Sequence, residues 1–294
     1  MTEQDMKLMQ LDLNINYQVG LVLSIIGMAI QLILPPWFFL LHYDKLMIDE
    51  VVVANCPTCF YVIRYFLPAY TDVAIIAGIF YFVAAVGFYK KEKWAIYWAV
   101  WANILALFTS FWPMIPEMDT GNPILYAWIF LPETVMWFLI TRYAAGVSWG
   151  RVITGLFTGM AMVTTFMNGT ASVNTYMKTM RNPDSVTFVK ASNGAVYRIG
   201  EAFFVLTQRL NWLAAIGMMI VTFYVLFKPD FKIRMLGIIS ALISIILGTP
   251  LGIKISFMKG EISMMLYAPA LAFIYLIIFV FNPLWEKLVQ PVDS

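Results

Sequence analysis

The residues equipped to move protons, pair charges or exchange electrons are few. Asp72, Glu133, Glu201 and Arg209 fall inside long apolar stretches, and Cys56 and Cys59 bracket Pro57-Thr58. An ionisable group in hydrocarbon is costly, so such groups face the protein interior and commonly mark a site. The plainer alternative is a buried ion pair or a side chain reaching past a helix end. Glu201 sits in the first turn of its stretch, where the positive end of a helix favours a carboxylate. Arg209 lies eight residues further on, roughly 80° around a helix from Glu201. It is expected to pair with Glu133 or Asp72 on another helix. Glu133 follows Pro132 in Phe130-Leu131-Pro132-Glu133-Thr134. That proline loosens the helix and opens backbone carbonyls to a polar cavity, so a carboxyl there suits proton transfer or quinol contact.

Cys56-Pro57-Thr58-Cys59 is a C-x-x-C, and the chain has no other cysteine. Three readings stay open: a disulfide or thiol pair bracing a loop, a redox pair serving quinone-linked partners, and half of a metal site lacking further ligands. His42 is the sole histidine. Bis-histidine haem, His-rich copper or iron centres and metalloprotease motifs need more imidazoles than that. The chain alone is therefore expected to ligate neither haem nor metal.

The elements that must position these residues follow from composition. The 294 residues are 61% hydrophobic and 12% charged, with mean hydropathy +0.78. Soluble domains carry about 45–50% apolar and about 25% charged residues, so this chain is a polytopic membrane protein. Aromatic residues at 16% exclude disorder. A net charge of +2 gives no electrostatic footprint for nucleic acid.

A membrane-crossing helix needs about 20 apolar residues. Eight stretches qualify: 17–41, 65–89, 94–115, 122–142, 147–171, 199–227, 234–253 and 262–283. The predicted fold is all-α, a transmembrane helical bundle forming one domain over 1–294. Lys90-Lys91-Glu92-Lys93, Lys228-Pro229-Asp230 and the Pro113, Pro116, Gly121, Pro123 cluster supply the turns. The closeness of 94–115 and 122–142 leaves seven spans as the alternative. Glu3, Asp5 and Asp12 precede the apolar run, which argues against a signal peptide. Ten Lys and Arg fall on the side of the N-terminus and eight on the other, a bias that places both termini in the cytoplasm. Two long outer loops are then expected, 42–64 and 172–198. Lipid surrounds the bundle, and a prokaryotic-type cell membrane is the expected location.

Gly155 and Gly159 match the small-xxx-small pattern for close helix approach. Trp94, Trp98 and Trp101 form a stripe at helical spacing, expected to pack against lipid or protein. Asn168-Gly169-Thr170 fits a glycosylation sequon, but its place at or within a span argues against modification.

Three stretches carry a resemblance. Gly121-Asn122-Pro123 followed by Phe130-Leu131-Pro132-Glu133, then Ser172-Val173-Asn174-Thr175-Tyr176-Met177, then a basic turn from Lys228 to Arg234 occur in this order. From about residue 60 onward this order resembles the N-terminal half of cytochrome bd quinol oxidase subunit I. There, an acidic helix residue is linked to haem and proton delivery, and Asn-x-aromatic-Met closes a helix at the outer face. Where that family carries haem-ligand histidines, this chain reads Ile63-Arg64-Tyr65-Phe66 and Gly200-Glu201-Ala202. The resemblance implies a haem-less paralogue packed beside a haem-bearing subunit, with Glu133 the one residue carried over. The expected function is thus a non-catalytic subunit of a quinol-linked respiratory complex, with quinol and haem reached through partners. A secondary transporter using Asp72, Glu133, Glu201 and Arg209, and a thiol oxidoreductase using Cys56 and Cys59, are the alternatives.

Overall fold

Asn16 opens the first helix by accepting the Val19 N–H at 3.2 Å, a side-chain cap for an otherwise unpaired donor. Helix α1 then runs from Tyr17 to Val52, about 54 Å at 1.5 Å per residue. The computed structural model describes residues 14–54, 56, 58–181, 195–259 and 262–290. Side chains of 175–181, 195–204, 254, 255 and 257–259 lie outside that description.

Helix α2 spans Cys59–Tyr89, α3 Ala95–Phe111, α4 Met114–Asp119 and α5 Ala127–Phe138. A π-helical turn, Leu139–Ala144, extends α5. Helices α6 (Trp149–Arg181), α7 (Ala195–Phe227) and α8 (Phe231–Lys259) follow. A 3-10 turn at Met264–Leu266 leads into α9 (Tyr267–Val280), and α10 (Asn282–Leu288) turns away from it by 92°. No strand occurs among the described residues. Among the described residues six helices are long and apolar enough to cross a membrane, or seven counting the bent pair toward the C-terminal end.

Both expected outer loops are corrected. Residues 42–52 continue α1, leaving only 53–58 between α1 and α2. The polar residues there have helical spacing: His42, Leu46, Met47 and Glu50 are buried, while Lys45 and Asp49 meet at 4.0 Å one turn apart. Polarity was a poor guide to loop because this stretch is an amphipathic extension. Likewise α6 passes through Ser172 to Arg181 rather than closing at Asn174–Met177. Between Ser172 and Arg181 there is no glycine or proline to interrupt it. The remaining stretch 182–194 lies outside the described residues.

Helices α1, α2, α3 and α5 pack into one four-helix bundle, and α6, α7, α8 and α9 into a second. Within each bundle successive helices pack side by side, and the fourth closes back on the first. Helix α3 joins them. Trp101 stacks on Phe223 of α7 (4.8 Å, 19°), and Phe108 meets Phe166 of α6 edge-on at 4.9 Å. The tryptophan stripe is therefore protein-facing at Trp101, while Trp98 lies edge-on to Phe80. One end of the assembly carries the Lys90–Lys93 and Lys228 turns, and the other carries Cys56 and Cys59; we call these the lysine and cysteine ends. At the lysine end Arg234 holds the 92° bend. Its Nε donates to the Phe279 carbonyl (2.6 Å), Nη2 reaches the Val280 carbonyl and Asn282 Oδ1, and the guanidinium sits 5.4 Å from the Trp285 ring.

Glycine sets the closest helix approaches. A Cβ on Gly27 of α1 would lie 2.6 Å from the Tyr81 ring of α2 and 2.9 Å from Met136 Cε of α5. Gly155 is similarly tight against Trp137, whereas a Cβ on Gly159 would meet Thr222 at an ordinary 3.5 Å. Gly27→Ala should therefore destabilise the protein by about 1–3 kcal/mol through overpacking, read as a lowered unfolding midpoint in mild detergent. Gly159→Ala should leave that midpoint essentially unchanged. Equal effects from the two changes would show that the α1–α2 contact does not depend on Gly27.

Candidate functional site

Glu133 lies on α5 with no solvent exposure. Its Oε1 accepts Gln31 Nε2 of α1 at 2.8 Å. Its Oε2 accepts the Tyr81 hydroxyl of α2 at 2.7 Å and Asn103 Nδ2 of α3 at 2.7 Å. Asn103 Nδ2 also reaches the Glu133 carbonyl at 2.9 Å. Every partner is fully or almost fully buried, and each comes from a different helix of the first bundle. The polar cavity expected beside Pro132 is thus filled by side chains.

The cage is built from neutral donors alone. A buried carboxylate is stabilised either by a cation or by donated hydrogen bonds, and here three donors take that role. The same groups serve the protonated acid. Gln31 Oε1 and Asn103 Oδ1 are buried without a hydrogen-bond partner. A half-turn of either amide exchanges its nitrogen and oxygen, presenting an acceptor to a proton on Glu133. Tyr81 and Asn103 each lie eight residues from the lysine ends of their helices, about 12 Å along the axis. Across a hydrocarbon layer of about 30 Å, that depth is near the centre.

The expected pairing of Arg209 with a carboxylate is corrected. Arg209 and Asp72 are exposed, and neither forms an ion pair with the other or with Glu133. Asp72 lies 17 residues from Tyr89, and Arg209 lies 19 from Lys228. Those are helix lengths of about 26 and 28 Å, so both stand at the opposite boundary of the apolar layer from the lysine end. A charge at that depth reaches the interface without a protein partner. Glu201 belongs to α7, but its side chain lies outside the described residues. Asp72 and Arg209 do not join Glu133 in one site, and of these three Glu133 alone is embedded.

Two further polar clusters occupy the cysteine end. His42 Nδ1 lies 3.2 Å from Glu117 Oε1, and Glu117 Oε2 accepts the Tyr126 N–H at 3.3 Å. His42 is buried and Glu117 fully so; the one imidazole is engaged by a carboxylate. Beside them Asn122 accepts from Lys45 and donates to Asp49 at 2.8 Å. Cys56 and Cys59 are joined by a disulfide, with Cα atoms 5.3 Å apart.

The sequence reading missed Gln31, Tyr81, Asn103 and Glu117. A faint signal existed for two of them: Gln31 and Asn103 are the lone amides within the runs 22–41 and 94–108. Comparison with protein-family models, with characterised proteins and with solved structures finds no match to this chain.

Removing one donor should expose the value of the cage. Tyr81→Phe is expected to cost about 1–3 kcal/mol, because it withdraws a bond to a buried charged acceptor. In a Glu133→Leu background the same change should cost little, as a double-mutant cycle of unfolding midpoints would read. Strict additivity would show that the hydroxyl and carboxyl do not interact.

Proposed function

We propose that this chain is a haem-less integral membrane subunit of a quinol-linked respiratory electron-transfer complex, similar in kind to cytochrome bd oxidase. In that reading it crosses a prokaryotic cell membrane eight times with both termini in the cytoplasm. It scaffolds a haem-bearing partner and holds a transferable proton at Glu133. The eighth crossing is α5 with its π-helical turn, 18 residues from Ala127 to Ala144. The cytoplasmic placement of the lysine end follows from its Lys90, Lys91, Lys93, Lys228 and Lys232.

The single observation that carries the proposal is the Glu133 cage. It lies at mid-depth, contains no cation, and has hydrogen-bonding groups for both the ionised and the protonated acid. A carboxyl so placed is suited to receive and release a proton without rearranging helices. The chain contributes no histidine pair for haem, so the electron carrier belongs to a partner.

The transporter alternative is weakened by where the cage sits. Transporter sites lie between structural repeats, whereas Glu133 is enclosed within the first bundle by α1, α2 and α3.

The test is purification of the tagged chain from its native membrane in mild detergent, followed by an optical redox difference spectrum. Haem bands should accompany a second membrane polypeptide and disappear when the chain is isolated alone. Glu133→Gln should preserve that association yet lower quinol turnover by about tenfold or more, the scale of a lost acid–base group. A colourless protein without partners sinks the subunit reading. Unchanged turnover in an intact Glu133→Gln complex sinks the proton role.

A further inference from the structure

The disulfide at the cysteine end is set among groups that a simple loop brace does not require. A Glu50 carboxylate oxygen and the two sulfurs all lie within 4.8 Å of one another. Glu50 is 4% exposed and Cys56 8%, while Cys59 is half-buried and is the more accessible cysteine. The Cys56 N–H donates to the Glu50 carbonyl at 2.8 Å, which ties the pair to the last turn of α1. From α6, Asn174 Nδ2 approaches Cys59 Sγ at 3.2 Å and Cys56 Sγ at 3.6 Å. The Thr58 hydroxyl donates to Asn174 Oδ1 at 2.5 Å. With the Asn174 oxygen engaged by Thr58, its amide nitrogen is the end that faces the sulfurs.

We infer that Cys56 and Cys59 form a thiol–disulfide exchange centre for a dithiol partner, with Glu50 as its proton carrier and Asn174 as the donor to Cys59 sulfur. This inference does not rest on the respiratory-subunit reading.

The chemistry follows from the placement. Cys59 is the first residue of α2, and a thiolate is stabilised at a helix N-terminus. A donated amide hydrogen on the same sulfur adds to that. The partner's first thiolate attacks Cys59 Sγ. The Cys56–Cys59 bond breaks, and Cys56 Sγ leaves with the electron pair and takes the Glu50 proton. Buried thiolate is thereby avoided, since the Glu50 oxygen lies within 4.8 Å of that sulfur. The partner's second thiol then gives its proton to Glu50 and attacks its own sulfur in the mixed disulfide. Cys59 departs as a thiolate and takes the proton released when the first thiol ionised. The dithiol has lost two electrons, the disulfide has become two thiols, and Glu50 ends as it began.

A bracing disulfide enclosed by protein reduces only when the protein opens, so its reduction follows unfolding. An exchange centre reduces in the native state. The full chain in mild detergent is titrated with reduced dithiothreitol, quenched at intervals with a bulky maleimide and read by band shift. Native protein should label at both cysteines within minutes. Glu50→Gln should slow this by about tenfold or more, while Glu50→Asp, which keeps the carboxyl, should stay near the wild-type rate. In denaturant all three should reduce alike, a pattern that loss of packing alone would not give. Labelling that appears only on unfolding overturns the inference, as does a Glu50→Gln rate equal to wild type.

A second measurement covers failure of the Glu50 variants to fold. The Cys59 thiol left by Cys56→Ser should react with iodoacetamide about tenfold or more faster than the Cys56 thiol left by Cys59→Ser. Equal, slow reaction of the two overturns the assignment of Cys59 as the attacked sulfur.

Discussion

A single carboxyl group buried without a counter-ion governs how the first bundle is assembled. Glu133 needs its donors within hydrogen-bonding distance, and they arrive from α1, α2 and α3. None of these three comes from α5 itself, and each is carried by a separate neighbouring helix. The registers of four helices are therefore tied to one side chain. Tyr81 illustrates the dependence: its ring fills the space above Gly27, and its hydroxyl completes the cage. A larger residue at 27 would push the ring and with it the donor. Packing and polar satisfaction are here one constraint, because a half-satisfied polar network in an apolar interior is worse than none.

Helix α1 extends that logic over the full depth of the molecule. Its buried face bears Ser24, Gln31, His42 and Glu50 in turn. Gln31 serves Glu133, His42 serves Glu117, and Glu50 stands beside the disulfide. Steps of 7 and 11 residues keep Ser24, Gln31 and His42 on one face at 3.6 residues per turn, and the step of 8 turns Glu50 about 80° from it. The 36-residue length that looks excessive for a membrane span is what lets one rod meet all three clusters. Pro35 and Pro36 fall between the Gln31 and His42 contacts, where the face is otherwise apolar.

The helical character of the chain was legible because apolar runs are long and the turns carry charges, glycine or proline. Glu133 was legible as well, since an acid following proline in an apolar run is conspicuous. Its cage was not. Gln31, Tyr81 and Asn103 stand 102, 52 and 30 residues from Glu133, and periodicity carries no information on which helices meet. The pairing of Arg209 failed for a related reason. Membership of an apolar stretch was read as membership of the core, although Arg209 and Asp72 lie near the cysteine ends of their apolar layers and face outward. The expected loop at 42–64 is mostly helix because Asp44, Lys45 and Asp49 lie on the outward side of a helix that continues to Val52, and of 172–198 the described parts are helical as well. Asn174 was singled out as closing a helix; its contact with Cys59, 115 residues away, had no sequence signal at all.

The two bundles share a topology but not a chemistry. In the second, the buried polar contacts run between hydroxyls and amides: Thr158 with Thr222, Thr165 with Ser244, and Asn168 with the Met265 carbonyl. These give closely packed helices their hydrogen bonds at modest gain, and none changes charge. Among the described residues, the buried carboxyls Glu50, Glu117 and Glu133 all belong to the first bundle or to the helices capping it. Along α3 the seam between the bundles is aromatic, with Trp101 on Phe223 and Phe108 against Phe166, while polar contacts across it include Asn174 of α6 with Thr58 and Cys59, and the Trp137 indole N–H donating to the Val152 carbonyl. The Glu133 carboxyl has one titratable group in direct contact, the Tyr81 hydroxyl of α2, and the buried carboxyls of Glu50 and Glu117 stand toward the cysteine end.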